Sequence, residues 1–222
     1  MNMKSNKIKL TALFMAVVMC FANYSFACTN FLITKGASKD GSTMVTYAAD
    51  SHTLYGELYY NRAAQYPEGT MIQVIDWDSG KPLIQIPQVA NTYTTVGNMN
   101  QWGLAIAETT YGGREELVDT TGGIDYGSLI YLTLQRAKNA REAIKQIAEF
   151  VDTYGYFSSG ESFSIIDENE VWIMELIGKG APVYNKKGKI DKRWTKGAVW
   201  VAMRVPDGCI SGHANHARIT TF

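Results

Sequence analysis

Apolar and polar positions alternate along most of the chain's first half, and a period of two predicts strands. Residues 28–34 form a short apolar run that predicts a buried strand beginning at Cys28. Residues 36–42, with Asp40-Gly41, carry a turn signal. Residues 43–49 predict the partner strand of a hairpin that ends at Asp50. A third strand is expected over 55–61. A second hairpin is expected from 71–77 and 82–86 around Asp78-Ser79-Gly80, and two more strands from 91–97 and 103–108 around a turn at 98–100. Then the period lengthens. Asp125 is placed to cap a helix running through Lys138, and Asn139 with Glu142 has the spacing of a capping box. Behind it Ala140, Ala143, Ile144, Ile147, Ala148 and Val151 recur at helical spacing, predicting a second helix to about Asp152 before Gly155. Residues 162–166 and 171–177 predict a third hairpin around 167–170, and 198–205 is another β-rich run. Strands, a helix pair and strands again indicate an α+β layered domain.

The first 27 residues follow a different pattern. Lys4, Lys7 and Lys9 precede an apolar core over 10–21, and Ser25-Phe26-Ala27 ends it with small residues at the two positions a signal peptidase reads. The core is short for a membrane span of roughly 20 residues. Residues 1–27 are therefore expected to be a signal peptide and 28–222 a domain exported to a periplasm or the medium, an uncleaved anchor being the plainer alternative. The 222-residue chain is 46% hydrophobic and 19% charged, enough for one domain with a real core. Without the leader lysines, 18 basic residues face 21 acidic ones, a net charge of −3. Neither nucleic acid nor an anionic membrane is indicated as a partner.

Cleavage after Ala27 gives the leader its chemical interest. Cys28 would become the first residue, with a thiol and a free α-amine on one carbon skeleton. The amine has an ordinary pKa of about 7.7–8.0 and the thiol about 8.5. The amine can then serve as the base for its own nucleophile near neutral pH.

Several blocks resemble one family. They are Cys28-Thr29-Asn30, Gly41-Ser42-Thr43-Met44, Ala49-Asp50-Ser51-His52, Met99 through Leu104, Val171 through Glu175, Val201 through Gly208 and His213-Ala214-Asn215. In this order they are similar to the secreted dipeptidases of the N-terminal nucleophile (Ntn) hydrolases. The resemblance implies a four-layer αββα sandwich, a cysteine-type dipeptidase acting on short peptides, and no cofactor or metal. It implies that Asp50 holds the amine of the nucleophile and that Asn215 supplies an oxyanion donor. Family members are commonly about twice this length, so residues 28–222 are expected to be the front part of a longer domain. Many relatives carry arginine three residues before the aspartate, where this chain has Tyr47.

Other uses of the same residues compete. Cys28 and Cys209, the cysteines left after the leader, could form a disulfide. Lipidation of Cys28 would make an anchored binding protein, although Ser25-Phe26-Ala27 fits a lipoprotein signal poorly. An Ntn amidase acting on N-acyl amides of the bile-salt or penicillin type would use the same nucleophile. Cys28 could instead pair with His52, His213 or His216 as in other thiol proteases. His213 and His216 could share a helical face and bind a metal. Tyr47, Tyr55, Tyr59, Tyr60 and Trp102 could line a cleft or simply pack across strands.

Overall fold

The computed structural model describes residues 28–50 and 56–221. The expected signal peptide, His52 and Tyr55 lie outside the described residues.

The first hairpin forms as its pattern predicts. β1 (Thr29–Ile33) and β2 (Met44–Ala48) pair antiparallel, with Thr29 opposite Ala48 and Ile33 opposite Met44. The loop between them is held by Asp40, whose side chain accepts from Ser42 N at 3.1 Å and Ser42 Oγ at 2.7 Å, as aspartate commonly does in turns. The expected strand over 55–61 is represented by β3 (Tyr60–Asn61) alone. β4 (Met71–Ile75) and β5 (Pro82–Pro87) make the second hairpin as a separate two-stranded sheet. The expected strand over 91–97 is reduced to β6 (Thr95–Val96), and the expected turn at 98–100 instead holds a short strand, β7 (Met99–Asn100), with the turn at Gly97-Asn98.

β8 (Ala105–Gly112), β9 (Gly160–Ile166), β10 (Val171–Gly178) and β11 (Ala198–Arg204) are the long strands of a seven-stranded sheet in the order β11-β10-β9-β8-β7-β6-β3. A final strand, β12 (Ile210–Ala214), pairs with β1 and completes a three-stranded sheet β12-β1-β2. No local pattern announced β12, because a five-residue strand of mixed character is fixed by its distant partner.

Two helices cover one face of the large sheet. α1 (Tyr126–Leu134) is capped by Asp125, whose carboxylate accepts from Gly127 N at 3.2 Å and Ser128 N at 3.4 Å. It stops four residues before Lys138, where Asn100 Nδ2 satisfies the free carbonyl of its last residue, Leu134 O, and that of Ala137 just beyond, each at 2.8 Å. α2 (Ala140–Tyr154) starts at Asn139, whose side chain accepts from Glu142 N at 3.0 Å, while Glu142 reaches back to Lys138 N at 2.8 Å. The return bond lands one residue before its usual place in a capping box. Gly155 ends α2 at φ 82°, a conformation that glycine adopts without strain.

Ala140, Ala143, Ile144, Ile147, Phe150 and Val151 of α2 are buried against the sheet in one core with Leu129, Leu132, Phe163, Ile165 and Met174. Burying side chains of this size contributes about 1.5–3 kcal/mol each. A smaller core of Leu32, Ala105, Ile166, Val171, Ile173 and Val205 lies between the two larger sheets. The described residues therefore stack as helices, large sheet and small sheet, an α+β arrangement.

Candidate active site

Register brings the site together. Thr29 lies opposite Ala48 on one side and Ala214 on the other. β1 thus begins where β2 and β12 end, and Cys28, Asp50 and Asn215 converge on one end of the small sheet. The other end of β1 meets Cys209, where Thr34 N donates to Cys209 O at 3.3 Å. The two cysteines sit at opposite ends of a strand and both are free, so the disulfide alternative fails on geometry.

Thr109 on β8 ties the nucleophile candidate to the oxyanion candidate. Its hydroxyl donates to Cys28 O at 3.3 Å and accepts from Asn215 N at 2.8 Å. Asn215 Nδ2 donates to Thr110 O at 2.6 Å, which leaves its second N–H available, and Asn215 Oδ1 is buried without a partner. Asn215 has φ 46°, the left-handed region that asparagine tolerates better than most residues. A non-glycine residue there is over-determined by its surroundings, here by two bonds to β8.

Two acidic residues that no motif singled out stand beside the thiol. Glu108 on β8 accepts from Cys28 Sγ at 3.8 Å and from Tyr47 Oη at 2.5 Å. Its backbone carbonyl accepts from Asn30 Nδ2 at 2.9 Å. Glu108 lies opposite Phe163 on β9, and Thr110 opposite Glu161, so Glu108 and Glu161 are diagonal neighbours on the helix side of the sheet. β7 pairs with β8 only at Met99–Ala105, which leaves the later edge of β8 open among the described residues. Cys28 and Tyr47, from the layer behind, reach Glu108 around that edge. The signal for both glutamates was present in the sequence: an acidic residue inside an apolar β run is buried unless the strand turns it outward.

The electrostatics are strongly one-sided. Burial and the charge of Glu108 push the Cys28 thiol up to about 12, against a smaller opposing effect of the Asp50 backbone N–H, which is directed at the sulfur. Burial and Glu108 also hold Glu161 well above the usual carboxylate range. Tyr47 is raised by burial and by Glu108 and remains a neutral donor. The thiol is thus protonated as it stands and needs a base before it can attack.

His213 is buried on β12. Its Nε2 lies 2.8 Å from Ser164 Oγ and its Nδ1 3.2 Å from Ser162 Oγ. Both ring nitrogens are occupied, and the residue is on a strand rather than a helical face, so pairing with Cys28 and shared metal ligation with His216 both lose their basis. Among the described residues no group of three metal-ligating side chains forms. A cleft of about 730 Å³ is walled by Tyr47, Tyr59, Tyr60, Trp77, Tyr126 and Tyr131, and Tyr47 links this wall to Glu108. Trp102 packs edge-on against Tyr93 instead.

The chain is similar to several curated dipeptidases. It is 27% identical to a probable dipeptidase A of Streptococcus pyogenes serotype M18 over 89% of this chain and 41% of the relative. It is 25% identical to a probable dipeptidase of Latilactobacillus sakei over 87% and 40%, and 27% identical to dipeptidase A of Lactobacillus helveticus over 88% and 41%. The chain spans about two-fifths of the length of these relatives. Residues 54–222, three-quarters of the chain, match the model of Peptidase family C69, and the chain belongs to that family.

Proposed function

We propose that this protein is an exported cysteine-type dipeptidase in which Cys28, freed by removal of residues 1–27, is an N-terminal nucleophile. The observation that carries the reading is the convergence of Cys28 and Asn215 on the Thr109 hydroxyl, at the end of β1 where a leader would be removed. Membership of Peptidase family C69 and the dipeptidase names of the relatives supply the substrate class. The helix, sheet, sheet order corresponds to three layers of an αββα Ntn-hydrolase sandwich.

In this reading the α-amine of Cys28 takes the thiol proton, and Asp50 holds that amine. The thiolate forms a bond to the scissile carbonyl carbon, and the carbonyl electrons move to oxygen. The second N–H of Asn215 Nδ2 meets the developing oxyanion; one such donor is worth about 2.7–4 kcal/mol. The protonated amine gives its proton to the leaving nitrogen as the C–N bond breaks. Water then attacks the thioester and restores the thiol.

The test is the mature N-terminus and the activity of the full-length protein. Mass and N-terminal sequence should give a chain beginning at unmodified Cys28 that cleaves dipeptides, with turnover abolished in Cys28→Ala. A chain starting elsewhere, a lipid on Cys28, or hydrolysis of N-acyl amides in place of dipeptides would overturn the proposal.

A further inference from the structure

Resting on the dipeptidase reading, the geometry points to Glu108 as the docking point for the free α-ammonium group of the substrate, so that the site takes peptides with an unblocked amino terminus. The first argument is charge. Glu108 and Glu161 are buried, 3% and 0% exposed, and face each other beside Cys28. Burial and the nearby Glu108 push Glu161 well above the usual carboxylate range. Among the described residues the ion pairs are Arg114–Glu116, Arg141–Glu170, Arg193–Asp191 and Arg204–Glu170. None neutralises Glu108. A desolvated charge without a counter-ion is strongly unfavourable, and a cationic ligand group relieves it.

The second argument is the lack of a cationic partner. Glu108 Oε1 takes the Tyr47 hydroxyl and faces the thiol, Glu161 hydrogen-bonds the same carboxylate, and no backbone or side-chain N–H of the described residues donates to Oε2. Tyr47 stands where many of the resembled dipeptidases have arginine. A guanidinium there would itself neutralise Glu108, whereas a neutral phenol leaves the charge free for a ligand. Tyr47, which bonds Glu108, and Tyr126 also wall the aromatic cleft, and aromatic faces attract ammonium groups.

The third argument is distance. In a peptide cleaved after its first residue, the ammonium nitrogen is two bonds, about 2.5 Å, from the scissile carbonyl carbon. That carbon approaches the sulfur to about 3–3.5 Å before attack. Glu108 Oε1 lies 3.8 Å from Cys28 Sγ. An ammonium nitrogen can then sit about 2.8 Å from the carboxylate while the carbonyl is at the sulfur. An N-acetyl group at the same place would bring a neutral amide against a buried charge.

The experiment is calorimetric titration of the processed, full-length Cys28→Ala protein, which cannot turn over, with Leu-Ala and with N-acetyl-Leu-Ala. The free dipeptide should bind at least ten-fold more tightly. Adding Glu108→Gln should weaken Leu-Ala at least ten-fold and leave the acetylated peptide unchanged. Tyr47→Phe, which removes the competing donor and keeps the carboxylate, should preserve the preference. If Glu108→Gln does not fold, Glu108→Asp should weaken Leu-Ala alone. Equal binding of the two peptides overturns the proposal, as does a preference that survives Glu108→Gln, which would assign the carboxylate to the amine of Cys28 itself. Turnover of both peptides at similar rates by the wild type sinks this inference and leaves the dipeptidase reading intact. Absence of both turnover and binding removes the two together.

Discussion

His213 should make the fold lose stability in mild acid, and replacing it should remove that loss. Burial, with a smaller effect from Arg218, lowers the imidazole from its ordinary 6.5 to about 4. Its neighbours are the hydroxyls of Ser162 and Ser164, and Ser162 Oγ in turn donates to Glu175 Oε1 at 3.5 Å. Glu175 is itself occupied by Arg218 N and Ile219 N. The folded state therefore favours the neutral ring. Below about pH 6.5 the unfolded chain takes a proton that the folded chain refuses until about pH 4, so stability is present above that window and falls through it. The full gap corresponds to at most about 3.4 kcal/mol. The two serine hydroxyls can accept from an imidazolium and solvent screens part of the remainder, so about 2 kcal/mol is the expected loss. The assay is urea unfolding of wild type and His213→Gln between pH 7 and 4, taken as a difference so that carboxylate titrations common to both cancel. Wild type should lose about 2 kcal/mol relative to the variant. Parallel curves, or a wild type that gains on the variant in acid, would refute the buried neutral histidine.

Three further outcomes follow from the site and the helix start. In unprocessed chains the Cys28 thiol, raised to about 12 from 9.0, should be alkylated by iodoacetamide at pH 7.5 about a thousand-fold more slowly than an ordinary cysteine, and leader removal should accelerate the reaction; fast labelling before cleavage would contradict the charge environment described. Thr109→Val keeps the packing but strips Asn215 N–H of its acceptor, so it should cost about 1–3 kcal/mol in a denaturant melt and lower dipeptide turnover more than ten-fold; an unchanged turnover would remove Thr109 as the bridge. At Gly127 an added Cβ would come within 2.6 Å of Trp77, so Gly127→Ala should lower stability by about 1–3 kcal/mol despite alanine's higher helix propensity, and a melt at or above the wild-type midpoint would show that Trp77 yields.

The elements that sequence made visible are those whose cause is local. The β1–β2 hairpin has its own turn chemistry at Asp40-Gly41, and both helices carry their caps at Asp125 and Asn139. What stayed hidden depends on partners far along the chain. The end of α1 at Leu134 is capped by Asn100, 34 residues earlier, which donates to its carbonyl. β12 exists because Thr29–Ile33 offers an edge. Cys28, Asp50 and Asn215 were legible as candidates through motif resemblance, while their convergence required a register that only the folded sheet defines.

Glu108 shows where such reading stops and why. In the run Leu104 through Thr109 it is one acidic residue at a position the alternation assigns to the helix-side core, beside Ile106. Local pattern can mark it as a buried charge, a feature that costs stability and so calls for a reason. The reason lies in three other strands: Cys28 leading into β1, Tyr47 on β2 and Glu161 on β9. A tyrosine in place of arginine at position 47 then changes meaning. Taken alone, it removes a cation from a motif. Set against a carboxylate that no cation of the described residues pairs with, it leaves a negative charge unbalanced at the nucleophile. Replacing Tyr47 by arginine separates the two views: if the tyrosine keeps Glu108 free for a ligand, Tyr47→Arg should stabilise the unliganded fold while weakening binding of Leu-Ala, and a variant that binds the dipeptide better would reverse the argument.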